Sequence, residues 1–212
     1  MEIRKDLTQF INSIPKNVTL VAATKYLDAS EMEELYKKGV TNFGENRVEV
    51  FLEKHKALKD LDITWHFIGH LQRNKALKVI DKIDYLHSLD SLKLAKIINE
   101  HRNNPLKVFV EVSINGEENK DGVSLNDIDE FIANILKLNN IHLVGLMMMS
   151  VKSSSIQSLD NQFQRLEDLR KHLETRFSIT IPYLSIGMSD DYLIALKHNA
   201  THIRLGRILL DN

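Results

Sequence analysis

Eight short apolar runs alternate with stretches of helical period along most of this 212-residue chain. Runs of this kind, rich in β-branched residues and not alternating with polar ones, are typical of parallel strands buried on both faces. A parallel strand followed by a helix, repeated along a chain, predicts a (β/α)8 barrel, a fold that takes roughly 200–250 residues. The predicted strands span residues 18–25, 41–45, 64–69, 84–89, 107–114, 142–149, 183–187 and 202–206.

The stretches between the predicted strands carry helix signals. Asp28 and Glu31 have the spacing of a capping box, and Gly39 is suited to ending the helix that they begin. Helices are predicted near residues 28–39, 46–59, 72–82, 91–102, 125–138, 156–176 and 190–198, after an extra N-terminal helix near 2–13. No linker or change of composition divides the chain, so we expect a single TIM-barrel domain over residues 1–212.

Charge and cysteine content narrow the classes of partner. Lysine and arginine number 28 against 29 aspartate and glutamate residues, a formal net charge of −1. This balance predicts no nucleic-acid partner and no anionic membrane surface. The chain has no cysteine, which excludes disulfides, thiolate catalysis and thiolate metal sites. It shows no signal-peptide core and no apolar run of about 20 residues, so we expect a cytoplasmic protein without a membrane partner.

Lys25 ends the first apolar run. In an α/β barrel, the carboxyl end of each strand faces the mouth where such folds carry their chemistry. A lysine that is partly desolvated there is a candidate nucleophile for a Schiff base. The alternative is a lysine that ends the strand by extending its amine into water.

Two later segments predict an anion site at the same mouth. Ser189 follows the seventh predicted strand and is placed to cap a helix that begins at Asp190. Gly206, at the end of the eighth, lets the main-chain amides of residues 206 and 207 approach the same anion. Barrels often bind phosphate between these two loops. Taken alone, either segment is equally consistent with an ordinary turn.

Histidines provide no convincing metal site. His66 and His70 are four residues apart on a strand-like segment and share a face if the strand is regular. A zinc site needs a third ligand at a fixed geometry, and the sequence offers none. We therefore predict no metal.

Several segments, in order and at matching spacing over residues 20–207, resemble the pyridoxal phosphate homeostasis protein family, the single-domain relative of the alanine racemase barrel. The segments are Ala-Thr-Lys25, Phe43-Gly-Glu-Asn46, His66-Phe-Ile-Gly69, Leu71-Gln, Asn74-Lys75, Gly145-Leu-Met147, Ser185-x-Gly-Met-Ser-Asp190 and Arg204-x-Gly206. As a set they are far more specific than any one of them.

The resemblance implies a bound pyridoxal 5′-phosphate (PLP), held as a Schiff base on Lys25. It implies that Asn46 and Met147 line the cofactor pocket. It also implies phosphate contacts from the hydroxyl of one residue and the backbone of two others, with a further serine nearby: Ser189, Gly206, Arg207 and Ser185.

By the same resemblance, Arg204 faces the pyridine nitrogen of the cofactor. A guanidinium only donates hydrogen bonds and stays charged, so it disfavours protonation of the nitrogen beside it. An unprotonated ring is a weaker electron sink, which discourages transamination while leaving exchange of the Schiff base open. The alternative is that Arg204 pairs with a carboxylate at the barrel rim.

The chain departs from the family pattern after Gly206, where a serine or threonine is usual. Arg207 keeps the backbone amide but loses the side-chain hydroxyl. Its guanidinium can replace that contact by charge, or it can point to solvent.

The resemblance implies a PLP-binding protein of vitamin B6 homeostasis without robust catalysis, with PLP-dependent apo-enzymes as partners, acting as a monomer. The main alternative is a PLP-dependent amino-acid racemase, which needs a second acid/base opposite the lysine. The local candidates for that group are Tyr26, Tyr183 and Tyr192. A third hypothesis is a barrel that binds another phosphorylated metabolite without a Schiff base.

Overall fold

The computed structural model describes residues 2–114, 122–151 and 153–211. Its strands are β1 Thr19–Ala23, β2 Asn42–Glu45, β3 Thr64–Phe67, β4 Tyr85–Leu89, β5 Leu106–Ser113, β6 Val123–Ser124, β7 Ile141–Met147, β8 Tyr183–Ser185 and β9 His202–Leu205. Its α-helices are α1 Leu7–Ser13, α2 Ala29–Lys37, α3 Val48–Ala57, α4 Leu92–His101, α5 Ile128–Ile135, α6 Ile156–Phe177 and α7 Tyr192–Ala195. Short 3-10 helices span Arg73–Lys78, Leu196–His198 and Arg207–Leu209.

Eight of the strands form a closed parallel barrel. Their order is β4-β3-β2-β1-β9-β8-β7-β5, and a β4–β5 pairing closes the ring. The two-residue strand β6 pairs in parallel with the end of β5. The predicted (β/α)8 barrel and its extra N-terminal helix are confirmed, since eight parallel strands close the ring and α1 precedes β1. Ile3, before α1, forms an antiparallel bridge with Leu210.

Local chemistry explains where α2 begins. Asp28 accepts from the main-chain N–H of Glu31 at 2.9 Å, and Glu31 accepts from that of Asp28 at 2.8 Å, which completes the predicted capping box. The helix predicted near 72–82 is instead the 3-10 helix Arg73–Lys78, with i→i+3 bonds such as that from the Lys75 N–H to the Gln72 carbonyl. The helix predicted near 190–198 is divided into α7 and a 3-10 turn that ends at Asn199, whose φ is 54°.

The apolar side chains divide into a layer between strands and helices and a small cluster inside the barrel. The inner cluster contains Phe109, Val144 and Met147, with Tyr85 and Tyr183 packed against it. Because these side chains fill the interior, open space is left at the carboxyl ends of the strands. No helix in the described parts of the chain is both long and apolar enough to cross a membrane.

Candidate functional site

A cavity of about 250 Å³ opens at the carboxyl end of the barrel. Residues at or just beyond the ends of β1, β2, β3, β5, β7, β8 and β9 line it. Three of the residues predicted from sequence lie on its wall: Lys25, Asn46 and Arg204. The barrel therefore brings together side chains that are as much as 179 positions apart in the sequence (204 − 25).

Lys25 lies at the mouth of the cavity, two residues after β1 ends at Ala23. Its side chain is exposed, so the partial desolvation expected from the sequence is not found. The amine Nζ lies 4.7 Å from the ring centroid of Tyr26, which is 61% exposed. The amine is thus held near the opening and is accessible to water.

Asn46 lies on the cavity wall, where its main chain packs closely against Gly69. A Cβ added at Gly69 would lie 2.5 Å from the Asn46 carbonyl oxygen and 2.6 Å from its Cβ, closer than real atoms approach. Only glycine at position 69 allows the loops after β2 and β3 to touch in this way. Both residues line the cavity.

Arg204 forms the inner wall and is 4% exposed. Its Nη1 donates to the carbonyl of Ser185 at 2.7 Å and to its hydroxyl at 2.6 Å, and Nη2 donates to the carbonyl of Met148 at 3.0 Å. Burial lowers the pKa of Arg204 to about 10, while the charges of Glu111 and Asp191 act in the opposite direction. The guanidinium is therefore charged at neutral pH, and it lies inside the barrel rather than at the rim.

A chain of hydrogen bonds runs from Arg204 into the barrel. The Ser185 hydroxyl lies 2.8 Å from Nδ1 of His87, Nε2 of His87 lies 2.8 Å from Nδ1 of His66, and Nε2 of His66 lies 2.9 Å from the amide oxygen of Asn42. Arginine only donates and an amide oxygen only accepts, so every bond in the chain points the same way. Burial keeps both histidines neutral, and a neutral ring at each place in this chain carries its proton on Nε2.

Three buried histidines make the fold sensitive to acid. Burial is the main cause that lowers the pKa of His66 and His87 well below the usual range and that of His202 to about 4. Below pH 6.5 the unfolded chain binds protons that the folded barrel does not, so stability falls as the pH falls. From His202 alone we expect a loss of about 3 kcal/mol between pH 6.5 and pH 4. Urea unfolding midpoints across this range measure it.

The matched controls are single histidine substitutions. His202→Gln removes one buried site and should flatten the dependence of the unfolding free energy on pH. His142→Gln alters an exposed position and should leave that slope as it is in the wild type. A wild-type slope that is flat between pH 6.5 and pH 4 would contradict the assignment of neutral buried histidines.

The predicted phosphate loops meet beside the cavity. The Ser189 hydroxyl accepts from the main-chain N–H of Gly206 at 3.3 Å and from that of Ile208 at 3.5 Å. The main-chain amides of residues 206 and 208 therefore point toward the Ser189 hydroxyl, while the anion contacts of the amides of 206 and 207 stay a prediction. Strand register places Leu205 beside Ala22, so Gly206 follows beside Ala23, which lines the cavity.

One side-chain prediction for these loops is wrong, and for Arg207 the structure shows the second of the two predicted alternatives. The cap residue of α7 is Asp191, whose carboxylate accepts from the main-chain N–H of Met188 at 2.5 Å, so Ser189 is not the cap. The Arg207 guanidinium is exposed and pairs with Asp190 at 2.5 Å, pointing to solvent. Its charge does not enter the phosphate loops.

Met147 and Ser185 lie below the cavity rather than on its wall. Met147 is 1% exposed and packs in the inner cluster, while Met149, half exposed, lines the cavity instead. Strand polarity explains the shift, because β7 ends at Met147 and the chain reaches the mouth two residues later. Ser185 contributes indirectly, by holding Arg204.

The two histidines considered for a metal are separated. His66 is buried inside the barrel, whereas the exposed His70 ring lies 3.0 Å from an oxygen of Asp90. Within the described residues, no three His, Cys, Asp or Glu side chains are grouped to hold a metal ion. The pairing of His66 with His87 was not predicted, and the only signal for it was a histidine inside each of two apolar runs.

The residues present suit an aromatic aldehyde phosphate. A buried cation lies at the inner wall, an accessible amine lies at the mouth, and a hydroxyl with two main-chain amides converges at one side. These groups match a ring nitrogen, an aldehyde and a phosphate in turn.

The fold and the site place the chain in the class of barrels related to alanine racemase, since the family model for the alanine racemase N-terminal domain matches residues 2–210. The pyridoxal phosphate homeostasis protein of Aquifex aeolicus is 38% identical over 193 residues, covering 90% of this chain and 85% of that protein. The chain belongs to the pyridoxal phosphate homeostasis protein family.

Two solved structures have a fold similar to that of this chain. PipY of Synechococcus elongatus PCC7942 without PLP has a TM-score of 0.92 and 30% identity, covering 99% of this chain and 100% of that one. The structure of PipY with PLP bound has a TM-score of 0.90 and 29% identity, covering 98% and 99%. The resemblance seen in the sequence is confirmed.

Proposed function

We propose that this protein holds PLP as a Schiff base on Lys25 and acts in vitamin B6 homeostasis as a carrier without robust catalysis. The observation that carries the proposal is the single cavity wall shared by Lys25, Asn46 and Arg204. The existence of a PipY structure with PLP bound supports the cofactor assignment.

Each group has a task in this proposal. Arg204 faces the pyridine nitrogen and, as a donor, keeps it unprotonated. Ser189 and the amides of Gly206 and Ile208 receive the phosphate, and the Lys25 amine meets the aldehyde at the mouth. The cofactor supplies the electrophilic carbon, and the protein's residues supply binding and orientation.

The positions of the tyrosines favour a carrier over a racemase. Tyr183 packs against the inner cluster, and Tyr192 packs against Phe10 with ring centroids 6.1 Å apart. Tyr26 adjoins Lys25 itself, on the lysine's own side of the mouth. A racemase needs a second acid/base group on the side of the substrate opposite Lys25, and the positions of these three tyrosines do not favour that role for any of them.

An absorption spectrum with PLP titration tests the proposal. We expect a yellow protein that takes up one PLP and, after borohydride reduction, carries its mass on the peptide that contains Lys25. Incubation with single enantiomers of amino acids should leave optical rotation unchanged. A protein that takes up no PLP would contradict the cofactor assignment, and rapid loss of optical activity would establish the racemase.

An exposed amine also supports transfer, because the linkage lies where amines and water from outside reach it. Delivery to PLP-dependent apo-enzymes, the monomeric state and the cytoplasmic location stay predictions of the sequence.

A further inference from the structure

A buried ion pair lies behind the turn that carries Lys25. Nζ of Lys54, on α3, lies 2.6 Å from Oε1 of Glu45, and the two side chains are 7% and 0% exposed. Such pairs lose hydration free energy on burial, and apolar replacements of similar volume often fold as well. Net stability is therefore a weak reason for this pair to be here.

Thr24 connects the pair to the turn. Lys54 Nζ also donates to the Thr24 carbonyl at 2.7 Å, and the Thr24 hydroxyl donates to Oε1 of Glu45 at 2.5 Å. Thr24 directly precedes Lys25, and Glu45 directly precedes Asn46. The pair thus fixes the main chain immediately before two residues of the cavity wall.

The Glu45 carboxylate engages through one oxygen. Lys54 and Thr24 both converge on Oε1, while Oε2 is buried without a hydrogen-bond partner among the residues that the structure describes. A buried oxygen without a hydrogen-bond partner costs folding free energy, so this pair is a poor source of stability. The arrangement instead favours one geometry at the ends of β1 and β2.

We propose that the Glu45–Lys54 pair positions Lys25 for condensation with the cofactor aldehyde, by fixing the main chain at Thr24. In that step a C=N bond to Nζ would replace the aldehyde C=O bond, and the oxygen would leave as water with the two hydrogens of the neutral amine. The inference rests on the proposed function, in which Lys25 carries the cofactor. Neither Glu45 nor Lys54 lines the cavity, so both are positioning residues that act through Thr24.

The test uses the double variant Glu45→Met/Lys54→Met, which removes both charges but keeps long side chains in place. No buried partner is orphaned: the Thr24 carbonyl keeps the N–H of Leu27 at 2.9 Å, and its hydroxyl keeps the carbonyl of Gly44 at 3.4 Å. We expect the double variant to fold with a urea midpoint close to that of the wild type.

The first readout is amide hydrogen exchange in the protein without cofactor. The Thr24 N–H donates to the Gly44 carbonyl at 3.1 Å, and the Leu27 N–H donates to that of Thr24. In the double variant we expect both amides to exchange about tenfold faster than in the wild type. Equal exchange rates in the double variant and the wild type would overturn the proposal, whatever the result of the PLP-binding measurements.

The second readout separates binding from condensation. At saturating PLP, equilibrium dialysis measures total bound cofactor, and borohydride followed by peptide mass analysis measures the fraction fixed on Lys25. We expect total binding within about threefold of the wild type and a fixed fraction about fivefold lower, since phosphate and ring contacts remain. An undiminished fixed fraction also overturns the proposal.

Two further variants serve as a substitute for the double variant and as a control. If the double variant does not fold, Glu45→Gln takes its place, and we expect about threefold faster exchange because it keeps an acceptor oxygen but loses the charge. Glu33→Met/Lys37→Met removes an exposed pair on α2, 2.8 Å long, and should match the wild type in both readouts. If the wild type binds PLP without fixing it, the proposed function fails, and exchange still decides whether the pair fixes the main chain at Thr24.

Discussion

Lys25→Ala should bind PLP without forming any covalent adduct. The variant lacks the only amine on the cavity wall among the described residues, so borohydride should fix no cofactor mass on its peptide. Apparent affinity should fall at least about tenfold, equivalent to roughly 1.4 kcal/mol. Because the side chain is exposed, the unfolding free energy should change by no more than about 0.5 kcal/mol. Absorbance titration, reduction and urea unfolding measure these three quantities.

The control for that experiment is Lys59→Ala, which removes another exposed lysine. It should keep the wild-type spectrum and the adduct at Lys25. An adduct of unchanged yield in Lys25→Ala would show that another amine carries the cofactor. Loss of the helical circular dichroism signal would instead reveal a structural role for Lys25.

Gly69→Ala should damage both the fold and the cavity. Its new methyl group would lie 2.5 Å from the Asn46 carbonyl oxygen and 2.7 Å from its Cα, and main-chain atoms cannot move aside as side chains do. Overpacking of this kind costs about 1–3 kcal/mol or more. We expect a lowered urea midpoint and, because Asn46 is displaced from the wall, weaker PLP binding by titration.

Gly44→Ala provides the matched comparison on the same wall. Its Cβ would meet side-chain atoms, Val21 Cγ1 at 2.9 Å and Ile68 Cδ1 at 3.0 Å, which can rotate away. The loss of stability should therefore be smaller than for Gly69→Ala. Equal losses in the two variants would mean that the main-chain approach at Asn46 is not the limiting contact.

The fold was predictable because each strand of the barrel is buried on both faces and reads as an apolar run. Residues 18–25 contain β1, and residues 107–114 contain nearly all of β5. The errors fall where local bonding decides the outcome. Whether residues 72–82 close i→i+3 or i→i+4 bonds depends on packing that periodicity does not record.

The site was predictable to the level of its segments. Lys25, Asn46 and Arg204 meet because strand ends converge, a consequence of topology alone. Side-chain direction was not predictable: Met147 points inward below the cavity, and Arg207 pairs with Asp190 at the surface. Neither outcome leaves a mark in the spacing of residues.

The hydrogen-bonded histidines and the ion pair behind Lys25 were not predicted at all. His66 and His87 are 21 residues apart, and their 2.8 Å contact exists only because β3 and β4 are neighbours. Glu45 and Lys54 are nine residues apart, and a turn between strand and helix brings them together. A polar residue in an apolar run signals burial, but its partner is known only once the barrel closes.

The aromatic side chains of the inner cluster, below Arg204, also limit how a ligand enters and leaves the cavity. Because Phe109 and Tyr183 fill the middle of the ring of strands, a ligand in the cavity lined by Arg204 would enter and leave at the carboxyl end of the barrel, past the half-exposed Met149. A substitution at that opening that makes no contact with the bound ligand changes the association and dissociation rate constants by the same factor. The contacts inside the cavity then determine the dissociation constant, and the residues at the opening determine only the rate of exchange.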